Sequence, residues 1–356
     1  MRISKVVCIF LHKNRMMIYK NVPLKKFNTF GLDYVADCMI HIRTEKEAVA
    51  ILREINLLKN PLLILGGGSN ILFTSDFKGT ILYPELGGIK IEEEKQNEKS
   101  VIISAGAGVI WDDLVKWTVN KGIGGLENLS LIPGKVGATP VQNIGAYGVE
   151  IKDKIVNIRT LNLSDGSKRL FSNNECEFTY RNSIFKNSEK GKYLVTRVYY
   201  KLTTRPLLNV SYGALRDEVN NMGGETLKNV RQAVINIRRS KLPDPEIIGN
   251  AGSFFKNPVV ESTVAEHLKK EYPQMPVYED PSGNIKLASG WLIDQCGWKG
   301  KRKGDAGVHD KQALVLINYG KATGKDILNL SGEIKKSVND RFGIELEREV
   351  EVVGVI

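Results

Sequence analysis

Residues 132–151, IPGKVGATPVQNIGAYGVEI, hold Gly134, Gly137, Gly145, Gly148 and two prolines, with few charges and no run of surface-type polar residues. Glycine at this density lets main-chain N–H groups approach a ligand and adopt φ > 0, an entropic cost that a mere connector need not bear. A stretch of the same kind lies upstream, Leu62–Leu72, LLILGGGSNIL, where an apolar strand runs straight into Gly66-Gly67-Gly68-Ser69-Asn70. Two apolar-flanked glycine loops with small hydroxyl and amide residues look like a cradle for a phosphorylated cofactor. Their details exclude the common phosphate-binding loops: no Lys-Ser/Thr follows the glycines, and GGGSN lacks the spacing of a dinucleotide fingerprint. Either loop alone also fits a plain turn in a large α/β protein, since glycine often only punctuates.

The bulk numbers bound the rest. A chain of 356 residues has room for two or three domains. Its net charge of +11 suits anionic partners, from nucleic acid to phosphorylated small molecules. The basic residues are spread along the chain with no arginine-rich tract or zinc-finger pattern, which argues against nucleic acid. Cys8, Cys38, Cys176 and Cys296 form no CxxC pair, so neither a metal knuckle nor a disulfide framework is expected and a reducing cytoplasm fits. His12, His41, His267 and His309 are equally scattered. Residues 1–16 carry four basic residues, no acid and the apolar run Val6–Leu11. Six apolar residues are too few for a membrane span and marginal for a signal peptide, so this segment reads as a dispensable extension, with Met16 or Met17 an alternative start.

Periodicity supplies the elements. Asp37–Arg43 alternates as a strand, and Thr44-Glu45-Lys46-Glu47 opens a helix to about Leu58 as a capping box. With the strand into GGGSN this makes a βαβ unit. Further strands are expected over Gly79–Leu86, Ile89–Glu93 and Val101–Ala105, a helix over Trp111–Asn120, and a mostly β region to about Leu202. Helices follow over Thr226–Arg239 and Lys325–Arg341, each with an apolar stripe, and near Ser262–Glu271. Lys241-Leu242-Pro243-Asp244-Pro245 marks a domain boundary. The fold class is α+β.

Six motifs in order carry a resemblance: Asn28-Thr29-Phe30-Gly31, the GGGSN loop, the 132–151 segment, Tyr180-Arg181-Asn182-Ser183, Gly252-Ser253-Phe254-Phe255-Lys256-Asn257-Pro258 and Leu346-Glu347-Arg348-Glu349-Val350. The series resembles the UDP-N-acetylenolpyruvoylglucosamine reductase family, flavoenzymes of peptidoglycan synthesis, from about Asn21 to the C-terminus. The resemblance implies three domains, two of them an FAD-binding pair like that of vanillyl-alcohol oxidase relatives. They would span 17–88 (rejoined by 346–356) and 89–240, with a substrate-binding domain at 241–345. It implies non-covalent FAD held by Gly66, Gly67, Gly68, Ser69, Asn70, Gly134, Gly137, Ala138, Gln142, Asn143, Gly145 and Ala146. NADPH is the implied co-substrate and UDP-N-acetylenolpyruvoylglucosamine the implied substrate. The implied setting is a cytoplasmic monomer serving cell-wall biogenesis, without nucleic acid, metal or membrane insertion.

The chemistry suits the residue types. A flavin dinucleotide has an anionic pyrophosphate, which nests of N–H dipoles neutralise without lysine. Hydride added to an enolpyruvyl ether leaves negative charge beside a carboxylate, so the site needs an electrophile on the carboxylate and a proton donor at the adjacent carbon. By resemblance Arg181 is the electrophile, Ser253 the proton donor and Glu349 the group that orients Arg181 or the substrate. Arginine binds carboxylates bidentately and is always charged. The LExEV spacing selects Glu349 over Glu345, Glu347 and Glu351. Tyr212, Lys241, Asn257 and Gln312 are the implied substrate contacts, and the Tyr212 segment places the chain with the longer family type. Asn182 and Arg348 depart from the commoner aspartate and proline. Two other classes remain open: a flavin oxidase of the same architecture, and a basic binding protein without flavin.

Overall fold

A computed structural model describes residues 5–11, 14–54, 61–280 and 282–354, the first strand and the start of the second as backbone only. The chain divides into two compact units, one of residues 1–23, 35–67 and 78–240, the other of 24–34, 68–77 and 241–356. Helices and strands segregate within each, an α+β fold.

The first unit contains two five-stranded sheets. In one, the strands run in the order Lys5–Leu11, Asn14–Pro23, Val35–Ile42, Phe77–Pro84, Leu62–Ile64. The expected dispensable extension thus contributes an edge strand, with Cys8 opposite Met17. Helix α1 (Glu45–Arg53) starts where the capping box places it: Glu47 N donates to Thr44 Oγ1 at 3.1 Å and Thr44 N to the Glu47 carboxylate at 3.3 Å. It ends earlier than expected, and residues 55–60 lie outside those described. Ile51 and Leu52 are buried, each contributing about 1.5–3 kcal/mol. Strand, helix and strand do form in sequence, but Phe77–Pro84 lies between Val35–Ile42 and Leu62–Ile64 in the sheet and pairs parallel with the latter.

The second sheet is ordered Lys168–Ser172, Ile155–Asn162, Tyr193–Thr203, Ser100–Gly106, Ile89–Lys95, all antiparallel. Its edge strand IKIEEEK is exposed along nearly its whole length, a charged edge that discourages further pairing. Helix α2 (Trp111–Asn120) packs beside it, with Trp111 fully buried, edge-on to Tyr200 at 6.1 Å and donating from Nε1 to Leu129 O at 2.8 Å. A separate small core of Val210, Leu215, Val219, Val230, Ala233 and Val234 joins helices α3 (Leu215–Asn221) and α4 (Leu227–Lys241).

The second unit has a four-stranded antiparallel sheet, Gly249–Ser253, Val315–Asn318, Ala306–Val308, Arg302–Lys303, and a three-stranded one of Val259–Val260, Ile285–Leu287 and Val277–Glu279. Glu351–Val353 pairs parallel with Ile71–Phe73. Helices α5 (Ser262–Glu271), α6 (Ser289–Gln295) and α7 (Gly324–Phe342) surround a core that includes Phe30, Phe254, Phe255, Ile327, Leu330, Ile334 and Val338. Asn28 of the first motif is buried and tied inward, donating to Leu24 O and Leu32 O and accepting from Leu32 N. Among the described residues no helix is long and apolar enough to cross a membrane.

Candidate functional site

In the first unit the two glycine loops touch backbone to backbone. Gly67 follows the strand Leu62–Ile64, and a Cβ there would stand 2.8 Å from Gly134 Cα. Only glycine permits that approach. The 132–151 loop is pinned along residues 107–111 by Trp111 N to Gly134 O (3.0 Å), Val136 N to Val109 O (2.9 Å) and Gly137 N to Ala107 O (2.9 Å). Strain collects here: Leu131, Asn143 and Tyr147 have φ of 57°, 44° and 48°. Non-glycine residues hold such angles only where their surroundings over-determine them, which is common at ligand sites. This dense main-chain surface is the kind of seat an anionic, glycine-cradled cofactor requires.

Arg181 sits against the same loop, and its own φ is 54°. Its guanidinium donates from Nη2 to Gly145 O at 2.6 Å and from Nη1 to Asn143 O at 3.4 Å. A side chain at residue 145 would collide, since a Cβ would lie 2.9 Å from Arg181 Nη1. Ser183 is buried and donates to Val141 O at 2.7 Å. Asn143 is completely buried, and its carboxamide is used by protein groups: it donates to Glu150 Oε2 (3.0 Å) and Thr179 O (2.9 Å) and accepts from Lys152 N (3.0 Å). Ala138, Gln142 and Ala146 line the same loop, with Gly66 lying 3.4 Å from Ala138 through a notional Cβ.

Lys135, in the heart of this loop, turns its amine onto the Tyr83 ring at 3.5 Å and donates to Pro84 O at 3.0 Å. Burial lowers its pKa to about 8, with Glu85 acting in the opposite sense.

Tyr212 belongs to this unit too, 46% exposed and edge-on to Tyr147 at 5.8 Å. Helix α4 also carries two arginines that sequence reasoning passed over, of which Arg238 lies near Tyr147. Arg231 makes a two-pronged bond to Asp112, 2.7 Å on each oxygen. Burial alone would raise the Asp112 pKa, but the bonds from Arg231 and Leu131 N hold it below the ordinary carboxylate value. Arg238 has a buried Nε with no hydrogen-bond partner among the described residues. Burial lowers its pKa, opposed by Tyr147 and Asp112. The available signal was their spacing: seven residues apart on α4, they share a helix face.

The second unit gathers the other expected residues. Gly68, Ser69 and Asn70 fall here. Asn70 Nδ2 donates to Glu349 O at 3.2 Å, and Glu351 N donates to Asn70 O at 3.1 Å. Ser253 closes its strand after a register shift that follows Asn250. The neighbouring Phe254 and Phe255 are buried and stack edge to face at 5.4 Å. Phe254 O accepts from Glu349 N, and Phe255 bridges Arg348, so Ser253 and Glu349 lie on adjoining segments. Glu347, its near neighbour in sequence, is instead an exposed partner of Lys256. Asn257 and Gln312 converge on the start of α6, the first accepting from Ser289 N at 3.0 Å, the second with Oε1 about a Cβ contact (3.0 Å) from Gly290. Lys241 ends α4 and lies by contact in this unit.

Comparison with known proteins agrees with this layout. Residues 36–169 match an FAD binding domain family, and residues 244–353 match the C-terminal domain of UDP-N-acetylenolpyruvoylglucosamine reductase. The chain is 48% identical to the UDP-N-acetylenolpyruvoylglucosamine reductase of Flavobacterium johnsoniae over 95% of its length and 100% of the relative's. It is 46% identical to that of Pseudomonas aeruginosa over 93% of this chain and 98% of the other. The solved reductase from Thermus caldophilus overlays with a TM-score of 0.65 at 25% identity, covering 99% of this chain and all of that one. A solvent-stable cholesterol oxidase shares the fold alone, with a TM-score of 0.51 at 12% identity. With its glycine cradle and its FAD-binding segment, the chain belongs to the UDP-N-acetylenolpyruvoylglucosamine reductase family of FAD-dependent oxidoreductases.

Proposed function

We propose that the chain reduces the enolpyruvyl ether of UDP-N-acetylenolpyruvoylglucosamine to UDP-N-acetylmuramate at the expense of NADPH, in the cytoplasm, as a step of peptidoglycan precursor synthesis. FAD, bound without a covalent link, would supply the two-electron hydride chemistry that couples NADPH oxidation to reduction of the vinyl group. Gly66, Gly67, Gly68, Ser69, Asn70, Gly134, Gly137, Ala138, Gln142, Gly145 and Ala146 would hold it. Neither glycine loop contains a histidine, which supports the non-covalent link.

As hydride reaches the terminal carbon, the π electrons move onto the carbon beside the carboxylate. Arg181 holds that carboxylate and stabilises the enolate. Ser253 Oγ delivers the proton to the adjacent carbon, completing the saturated lactyl ether. Glu349 orients the carboxylate-binding group. Tyr212, Lys241, Asn257 and Gln312 hold the sugar nucleotide, and Arg238, with an unpartnered Nε beside Tyr147, adds a cation for its diphosphate. The observation that carries this reading is Arg181, strained and clamped by two carbonyls of the glycine loop.

Anaerobic rapid mixing tests it. NADPH should bleach the bound flavin, and the enolpyruvyl nucleotide alone should restore its colour, with UDP-N-acetylmuramate identified by mass. Acid should release the flavin intact. If the enolpyruvyl nucleotide leaves the reduced flavin bleached and colour returns only on admitting oxygen, the reading fails.

A further inference from the structure

The reaction above assigns Arg181 to the substrate, but it leaves open what keeps this arginine in its unfavourable backbone conformation. A residue at φ near +54° is strained, and neighbouring contacts must hold it there. Thr179 and Asn182 close a tight turn around Tyr180 and Arg181, each N–H bonded to the other's carbonyl at 3.2 Å. Beyond that turn, the Thr179 carbonyl accepts the Asn143 carboxamide at 2.9 Å.

We propose that Asn143 is a positioning residue for Arg181, gripping the arginine's turn with its carboxamide and the guanidinium with its own carbonyl, and that it does not serve as a contact of the cofactor. The residue meets both demands at once. Its main chain adopts φ 44°, which asparagine tolerates better than most side chains. Its carbonyl and that of Gly145 receive the two Arg181 nitrogens. Both amide hydrogens and the amide oxygen are used by Thr179, Glu150 and Lys152, and Glu150 is itself held by Lys152 Nζ at 3.0 Å. A buried polar group satisfied in this way is costly to disturb. Displacing the turn by an ångström would move a charge meant for one carboxylate.

This inference rests on the reading of Arg181 as the group that binds the substrate carboxylate, so the test separates the two. Wild type, Asn143→Gly, Arg181→Lys and the double variant are compared in each half-reaction, with flavin content from the absorbance spectrum and substrate affinity by calorimetry. Glycine tolerates the left-handed backbone and removes the side chain with its carboxamide. In Asn143→Gly the flavin content should stay at wild type and NADPH should reduce it normally. Reoxidation by the enolpyruvyl substrate should fall by up to ~10²-fold, as expected for small misplacement of a catalytic group, and calorimetry should show weaker substrate binding. The Arg181→Lys penalty should shrink by at least half in the Asn143→Gly background, since both changes strike the same contact. Additive penalties, or loss of flavin with both half-reactions slowed alike, would overturn the proposal. An Arg181→Lys variant with an unimpaired second half-reaction would instead sink the reading of Arg181. Should Asn143→Gly not fold, Asn143→Asp retains the oxygen that accepts Lys152 N and loses the donors. Failure of both to fold assigns Asn143 to the scaffold and refutes the positioning role.

Discussion

Glu349 donates its main-chain N–H to Phe254 O at 2.9 Å, and Ser253 is the residue next to that acceptor. The carboxylate and the hydroxyl expected to share one reaction are therefore linked by a sheet-like bond within one unit, which makes their spacing a property of the backbone. Side-chain changes at either position should alter chemistry and leave that spacing intact.

Ser253→Ala should spare flavin reduction by NADPH and slow reoxidation by the enolpyruvyl substrate ~10²-fold or more, the usual yield of general-acid catalysis. Substrate affinity should move little, because one oxygen is removed. Stopped-flow absorbance of each half-reaction decides this; slowed NADPH oxidation with normal substrate reduction would contradict it.

Arg238→Met should leave folding stability unchanged or raise it, because the Nε it removes is buried and has no hydrogen-bond partner among the described residues. Binding of UDP-N-acetylenolpyruvoylglucosamine should weaken about 10- to 100-fold, the worth of one or two hydrogen bonds to a charged group. Chemical denaturation and calorimetry on the same preparation check both halves; a large loss of stability would show the arginine to be a structural residue.

Asn70→Ala breaks the bond to the Glu349 carbonyl. The expected cost is about 0.5–1.5 kcal/mol, the net worth of one hydrogen bond, read from the denaturant midpoint. Activity should fall as well, because the Glu349 segment loses a tether. A variant as stable as wild type would mean that the contact contributes nothing.

Lys135 supplies a pH signature. Its pKa of about 8, below the ordinary 10.5, means that the folded chain binds fewer protons than the unfolded one between those values. Stability relative to Lys135→Met should therefore rise with pH from about 8 to 10.5 and level off outside that window. Denaturation midpoints of both proteins across that range measure it, and a falling difference would refute the assignment.

Local signals were legible wherever the bonding partner lies a few residues away. The Thr44–Glu47 box, α2 at Trp111–Asn120 and α5 at Ser262–Glu271 follow from capping and periodicity. The insertion of Phe77–Pro84 between two earlier strands does not, because strand order depends on which residues meet across the sheet. The first edge strand was not foreseen for the same reason: a short apolar run has no meaning until Asn14–Pro23 pairs with it. At the site, Gly67 and Gly145 were identifiable from glycine density. The inward bonds of Asn28 and Asn143 were not legible, since a carboxamide that ties two loops has the same letter as one that holds a cofactor. Arg238 escaped because only burial distinguishes it from an ordinary surface arginine.

The pairing of Ile71–Phe73 with Glu351–Val353 sets an order of assembly during synthesis. The earlier strand is entirely buried in the finished protein, yet its parallel partner, Glu351–Val353, is made long after it. The unit that holds Ser253 and Glu349 draws on residues 24–34 and 68–77 as well as 241–356, so its contacts are dominated by distant pairs, which form slowly. The first unit needs nothing beyond residue 240 and can collapse while the remainder is still being translated. Through that interval an apolar strand has no mate, and it is the part of the nascent chain most in need of a chaperone.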